Sequence, residues 1–494
     1  MTTSPPVNTD EVSHVTQSRP DRLPRRLGAP ALTLIFVAFS APLGIMAGYQ
    51  QLVIAFGNGI GAPLASIVAG VLLLLFEVGC IAMSKHMKSP GAFYCYIAEG
   101  MGKPAGLAGA FLALIAYITI TVGGYPYMGL ITVNLMDQLF GSSPIPWQYW
   151  GLIVLGIVTV LNILRIDLSM RVLGTIVVIE TTVVAIWQAV VFVKGGSEGY
   201  SASSFTWNTF TSGSVGLAIL FSLASLIGLE STAVFREETR NPEKTVPRAT
   251  YAAITFMSVF YGTGIWAYII AVGPSNAHDD ARNNPVGSFF DSVQNYMGGF
   301  FSTMVSVLLV TSIVAAINST QSAAARYFYT LGRDRVLSPR LARVHPRLGS
   351  PYIAVLTTAA ICLVIYLLVV TLSSDVVAAY GALAGFGTIC VLPLLLGTSL
   401  SVIIFFRRNP GHVGIWKSWI SPVLAFIGIA ATMALAVKHM DTMVGSKTGG
   451  YVADALLVLI IVVGVVVALR YKIRHPEVYR RIGRQDLDLE DDPR

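Results

Sequence analysis

Three carboxylates lie where a carboxylate is costly: Glu77, Glu180 and Glu230 each sit inside a long apolar run. A charged side chain at the centre of a bilayer costs at least ~2.5–3.5 kcal/mol on insertion scales, so such groups face a cavity or a partner. A carboxylate taken out of water also favours its neutral form, which makes it a proton carrier. Glu230 belongs to "LIGLEST" (226–232), two residues after Gly228. Glu180 belongs to "GTIVVIETTVVA" (174–185), a run with no lysine before Lys194. It could take a proton, ligate a cation, meet the amine of a ligand, or simply bond to Thr181, Thr182 or a neighbouring helix. Glu77 falls toward the inner end of its run, where a long side chain can snorkel, and a structural role is expected there.

The backbone supplies the second kind of chemistry. In "FVAFSAPLGIMAGYQQLVIAFG" (36–57), Pro42 removes a donor and Gly44 and Gly48 loosen the chain. In "GLAILFSLASLIGLESTAVF" (216–235), Gly228 and Glu230 fall near the centre. A broken helix exposes carbonyls at the end of its first half and N–H groups at the start of its second. The carbonyls attract cations and the N–H groups attract anions. In the first run the expected carbonyl end is Leu43–Ile45 and the N–H end Ala47–Tyr49. In the second they are Ala224–Ile227 and Leu229–Thr232. Two such breaks facing each other could hold an ammonium and a carboxylate together; an organic amine would use only the carbonyls. Breaks at corresponding positions of two halves are the best sequence pointer to a transporter site.

These groups must be held in place by helices in lipid. Hydrophobic residues make up 54% of the 494-residue chain and charged residues 12%, with mean hydropathy +0.68. A soluble chain carries about 25% charged residues. Twelve apolar spans are expected, near 31–56, 60–84, 104–136, 146–164, 168–193, 213–236, 249–272, 299–330, 352–372, 376–406, 419–437 and 452–471. Each can cross ~30 Å of hydrocarbon as a helix, the default where lipid offers the backbone no partner. With the N-terminus inside, all but four of the 33 Lys and Arg fall in inner segments. The exceptions are Lys194, Arg282, Lys438 and Lys447, a bias that fits the positive-inside rule. The net charge of +7 therefore reports topology and an anionic inner leaflet, not nucleic acid. The basic stretch 333–347 is expected to be an inner loop. Residues 1–30 lack a signal-peptide pattern and, like 472–494, are expected to be disordered inner tails.

Other chemistries find little support. Cys80, Cys95, Cys362 and Cys390 show neither metal-ligand spacing nor a pairing in outer loops. The seven histidines lie in tails, loops or a span end, and no HExxH, GxSxG or Walker A pattern occurs. An enzyme is not expected, nor a cofactor or metal. A channel is disfavoured by paired central breaks without a filter motif.

"FSLASLIGLESTAV" with "REETRNPEKTVPRA" (236–249) resembles the sixth-helix signature of the amino acid–polyamine–organocation permeases. "APLGIMAGYQQLVIAFGNGIGAPLA" (41–65), "SPGAFYCYIAEGMG" (89–102) and "AAARYFYTLGRDRVLSPRL" (323–341) resemble their first helix and two of their connections. The resemblance covers about 27–475. It implies an all-α LeuT-type fold: a five-helix repeat at 31–194, an inverted second at 195–406 and two further helices at 407–471. It also implies secondary transport of amino acids or related amines in the cell membrane, with both termini cytoplasmic. Carried over, the substrate head group would meet Ile45, Ala47 and Gly48, and its ammonium carbonyls near Ala224 and Ile227, beside Gly228. Glu230, and with it Glu180, would couple or gate. Relatives that use sodium draw ligands from the first and eighth helices, where Ser319 and Thr320 are candidate hydroxyls; a proton or substrate exchange is expected ahead of sodium. Tyr117 is the expected pocket aromatic, whereas Tyr125 and Tyr127, near the outer end, are expected in the interfacial belt. Polyamine or amino-alcohol transport and sodium symport are the alternatives.

Overall fold

The computed structural model describes residues 28–87, 93–164, 170–226, 239, 241–285, 287–373, 375–410 and 413–483. Every element of three or more residues among them is helical. Among the described residues, ten helices are long and apolar enough to cross a membrane. They fall on the expected spans, with two informative departures. The helix counted as Pro42–Ser84 joins the outer half of the first span to the second span, through a corner at Gly57–Gly61. The sixth span is described only through Val215–Ala224 and the two residues after it. Ile227, Gly228 and Glu230 lie outside the described residues.

The spans sort into two packed groups. The second and seventh (Ala62–Ser84 and Pro242–Val272) lie along each other, and the sixth packs on the second. The third span, Lys103–Phe140, lies against the eighth, Gly299–Arg333, and the tenth, Val376–Arg408. The first span runs between the groups, touching the seventh, sixth and eighth. Polar side chains join the second group where lipid leaves a polar atom no other partner. Asn162 donates to Asn318 (2.9 Å), Thr121 to Thr320 (2.9 Å), Tyr125 to Gln321 (2.7 Å) and Gln321 to Thr159 (3.2 Å).

The Lys and Arg bias sets the sense of inner and outer for this bundle. At the face expected to be inner, part of the expected C-terminal tail is helical. The last span continues to Arg474, and a short helix, Pro476–Arg481, folds back onto the bundle. Lys103 Nζ donates to the Tyr479 carbonyl at 2.9 Å and to that of Arg480, and lies 5.3 Å from the Tyr479 ring centre. Val478 and Ile482 are buried beneath it. A cation at the carbonyl end of a helix is favourable.

Candidate functional site between the broken spans

The first span breaks one residue before its proline. Ala29–Ser40 is α-helical; Ala41 then takes φ 49°, ψ 71°, and Pro42 starts a new helical piece. Proline disfavours helical backbone in the residue before it. The break thus lies ahead of the expected Leu43–Tyr49 stretch. Gly44 and Gly48, read as loosening the chain, are wound into helix. Ile45–Tyr49 forms a π turn, and Val53–Asn58 a second one. Ile45, Ala47 and Gly48 are all buried within the first of these turns.

The break in the first span meets the end of the Val215–Ala224 helix. Ser40 Oγ, at the end of the inner half, donates to the Ser225 carbonyl at 3.1 Å, and Ser225 is the residue that ends the Val215–Ala224 helix. Tyr261, on the seventh span, shares a 2.5 Å hydrogen bond with Ser40 Oγ. Ala224, expected to offer a carbonyl, directly precedes Ser225. Farther out the same two spans meet again, where the Ser214 amide donates to the Gly57 carbonyl at 2.9 Å.

Glu180 lies at the same junction with no exposed surface. One of its oxygens accepts the Ser312 hydroxyl of the eighth span at 3.0 Å. The carboxylate also faces the backbone N–H of Leu43, at the start of the new helical piece. It therefore sits at the positive end of a helix, bridging the first and eighth spans. Its other oxygen, Oε1, closes no side-chain or geometric backbone hydrogen bond. The Tyr261 hydroxyl lies within its electrostatic reach.

Aromatic rings close the outer side. Tyr127 and Tyr380 stack at 4.5 Å with 12° between planes, and Tyr49 meets Tyr380 edge-on at 6.3 Å. A Cβ on residue 48 would lie 3.0 Å from the Tyr380 hydroxyl and 3.1 Å from that of Tyr127, so Gly48 is what lets the rings approach. This corrects the expectation for Tyr125 and Tyr127: both are buried, not in an interfacial belt. Their helix turns inward against the eighth and tenth spans. Tyr117 is half-buried and packs 5.8 Å from Tyr327. The Tyr127 hydroxyl, the Ser222 hydroxyl and both amide ends of Gln50 are buried without a hydrogen-bond partner. Buried polar atoms of this kind call for a ligand or water.

The remaining expected residues have neighbours of their own. Ser319 donates to the Ala315 carbonyl at 2.9 Å; Thr320 donates to that of Ile317 at 3.1 Å and accepts from Thr121. Both hydroxyls thus have partners within the protein. Glu77 is buried rather than snorkelling, in a neighbourhood that includes Cys80, Tyr96 and Tyr251. The four cysteines are buried, and none of them forms a disulfide. Sequence reasoning missed Ser40, Tyr261, Ser312 and Tyr380, whereas Ser225 falls within the expected carbonyl end Ala224–Ile227. Only Ser40 carried a local signal, as a polar residue next to the Ala-Pro break.

A first span broken at Ala41, the end of the Val215–Ala224 helix set against that break and a buried carboxylate beside them are features of a membrane transport protein. The amino acid permease family profile matches residues 31–466, and the chain belongs to that family. It is a multi-pass membrane transporter and not an enzyme. It is 24% identical to the γ-aminobutyric acid permease of Bacillus subtilis over 90% of this chain and 92% of that one. It is 25% identical to the serine/threonine exchanger of the same organism, over 63% and 69%. A lysine-specific permease of Lactococcus lactis is 24% identical, and the match spans 62% of each chain.

Proposed function

We propose that the protein carries an amino acid or related amine across the cell membrane by alternating access, with Glu180 as the proton-coupling group and both termini in the cytoplasm. The observation that carries this reading is the junction itself: Ser40 of the first broken span bonds to Ser225 of the sixth, with buried Glu180 alongside. The pairing of first with sixth, second with seventh and third with eighth spans supports two five-helix halves of inverted sense. Ile45, Ala47 and Gly48 would flank the head group from the first span, and Ala224 from the sixth. Ile227, Gly228 and Glu230 belong to the same reading but lie outside the described residues. The relatives' named substrates, lysine, serine, threonine and γ-aminobutyrate, share an ammonium.

One observation favours a second reading. The Leu43 N–H that a substrate carboxylate would seek already faces Glu180. That favours substrates held chiefly by their amine, including polyamines and amino alcohols. Uptake into proteoliposomes decides. Saturable uptake of labelled L-serine, L-lysine or γ-aminobutyrate, with trans-stimulation and a response to an imposed pH gradient, is expected. Putrescine or ethanolamine carried as well as these would establish the second reading. Flux that never saturates would refute a carrier, and accumulation strictly dependent on sodium would refute Glu180 as the coupling group.

A further inference from the structure

The Ser225 carbonyl is one of the last in its helix, where carbonyls lack an intrahelical donor. The neighbouring carbonyls are engaged locally: that of Phe221 accepts the Ser225 amide and hydroxyl, and that of Leu223 the Leu226 amide. The Ser225 carbonyl instead takes a donor from another span, the Ser40 hydroxyl. Ser40 has a single hydroxyl hydrogen, and it goes to Ser225. The short contact with Tyr261 must then run the other way, with the tyrosine donating to Ser40 Oγ. Tyr261, Ser40 and Ser225 thus form a directed chain, and all three residues are buried.

We infer that Ser40 is a specificity-determining residue: its hydroxyl competes with the substrate's ammonium for the Ser225 carbonyl, and Tyr261 is the positioning residue that aims it. This rests on the transport reading above and adds the basis for selecting a charged amine. Hydrogen bonds from an ionised donor are roughly twice as strong as neutral ones. An ammonium therefore displaces the serine hydroxyl, whereas a neutral hydroxyl or amide in its place gains nothing over the donor already there. The Ser40 hydroxyl sets a threshold that only a cation crosses.

The test is the KM for uptake of labelled L-serine, L-lysine and γ-aminobutyrate by wild-type and variant proteoliposomes. Ser40→Ala removes the competitor, and its KM should fall about 3- to 10-fold, the equivalent of one neutral hydrogen bond. Ser40→Thr restores a hydroxyl and should return KM toward wild type. Tyr261→Phe frees the serine from its aim and should lower KM by a smaller factor. If Ser40→Ala does not fold, Tyr261→Phe alone carries the test. A KM unchanged or raised in the folded variants, with saturable wild-type uptake, overturns this inference and leaves the transport reading standing. Wild-type protein that takes up none of the three probes overturns both.

Discussion

Replacing Glu180 by glutamine separates its charge from its shape. The side chain has no exposed surface and accepts from the Ser312 hydroxyl, with the Leu43 amide alongside. Hydrogen bonds to a charged group contribute about 1.5–3 kcal/mol each, against about 0.5–1.5 for neutral ones. The Ser312 bond therefore loses roughly 1–1.5 kcal/mol when the acceptor becomes an amide, and the nearby Leu43 amide adds to that loss. Against that, removing a buried charge recovers a desolvation penalty of several kcal/mol. The two effects nearly cancel, so Glu180→Gln should fold with a Tm within a few degrees of wild type. Glu180→Leu is different: it leaves the buried Ser312 hydroxyl without its acceptor and should cost about 1–3 kcal/mol. The informative assay is uptake of the transported probe across imposed gradients from pH 5.5 to 8.5, beside exchange at equal pH. The glutamine variant should keep exchange and lose its response to the gradient, because a fixed amide cannot carry a proton through the cycle. Gradient-driven accumulation equal to wild type would refute the assignment of coupling to this residue.

Gly48→Ala places a methyl group about as close to the Tyr127 and Tyr380 hydroxyls as a Cβ can come. It should lower stability by about 1–3 kcal/mol and reduce uptake; adding Tyr127→Phe should recover part of both. Tyr127→Phe alone removes a buried hydroxyl without a partner and should hold or slightly raise Tm in a thermal-shift measurement. Asp334, just beyond the inner end of the eighth span, has its carboxyl pushed up to about 7 by burial, against the opposing pull of Arg333, Arg481 and Lys103. The folded protein then holds a proton that the unfolded chain releases near pH 4. This group's contribution to stability therefore declines as pH rises from about 4 to 7 and is constant above. Asp334→Asn should raise Tm relative to wild type at pH 8, by a margin that shrinks toward pH 4.

Where the spans lie was legible because apolar length is a property of the sequence itself. Which face of each span turns inward was not. In a helix apolar all round, Tyr127 looks like an interfacial residue; only its stack on Tyr380, more than 250 residues on, reveals otherwise. The first break was legible as a region, through Pro42, but placed too late. Proline acts on the residue before it, whereas the two glycines that drew the reading onward permit a bend without requiring one. Glu180 was legible as an anomaly. Its partners were not, since Leu43 and Ser312 come from spans far away in the chain. Ser319 and Thr320 show the converse: hydroxyls that suit a cation by type have partners within the bundle.

The grip of Lys103 on the Tyr479 carbonyl joins residues 376 apart in sequence. During synthesis the third span is in the bilayer long before the ribosome reaches this partner. The seats for Val478 and Ile482 stay open until the last helix has been made. Closure of this face is thereby a record of completed translation. A chain cut short before residue 476 would lack the carbonyls that Lys103 grips and would leave uncovered the apolar surface on which Val478 and Ile482 sit.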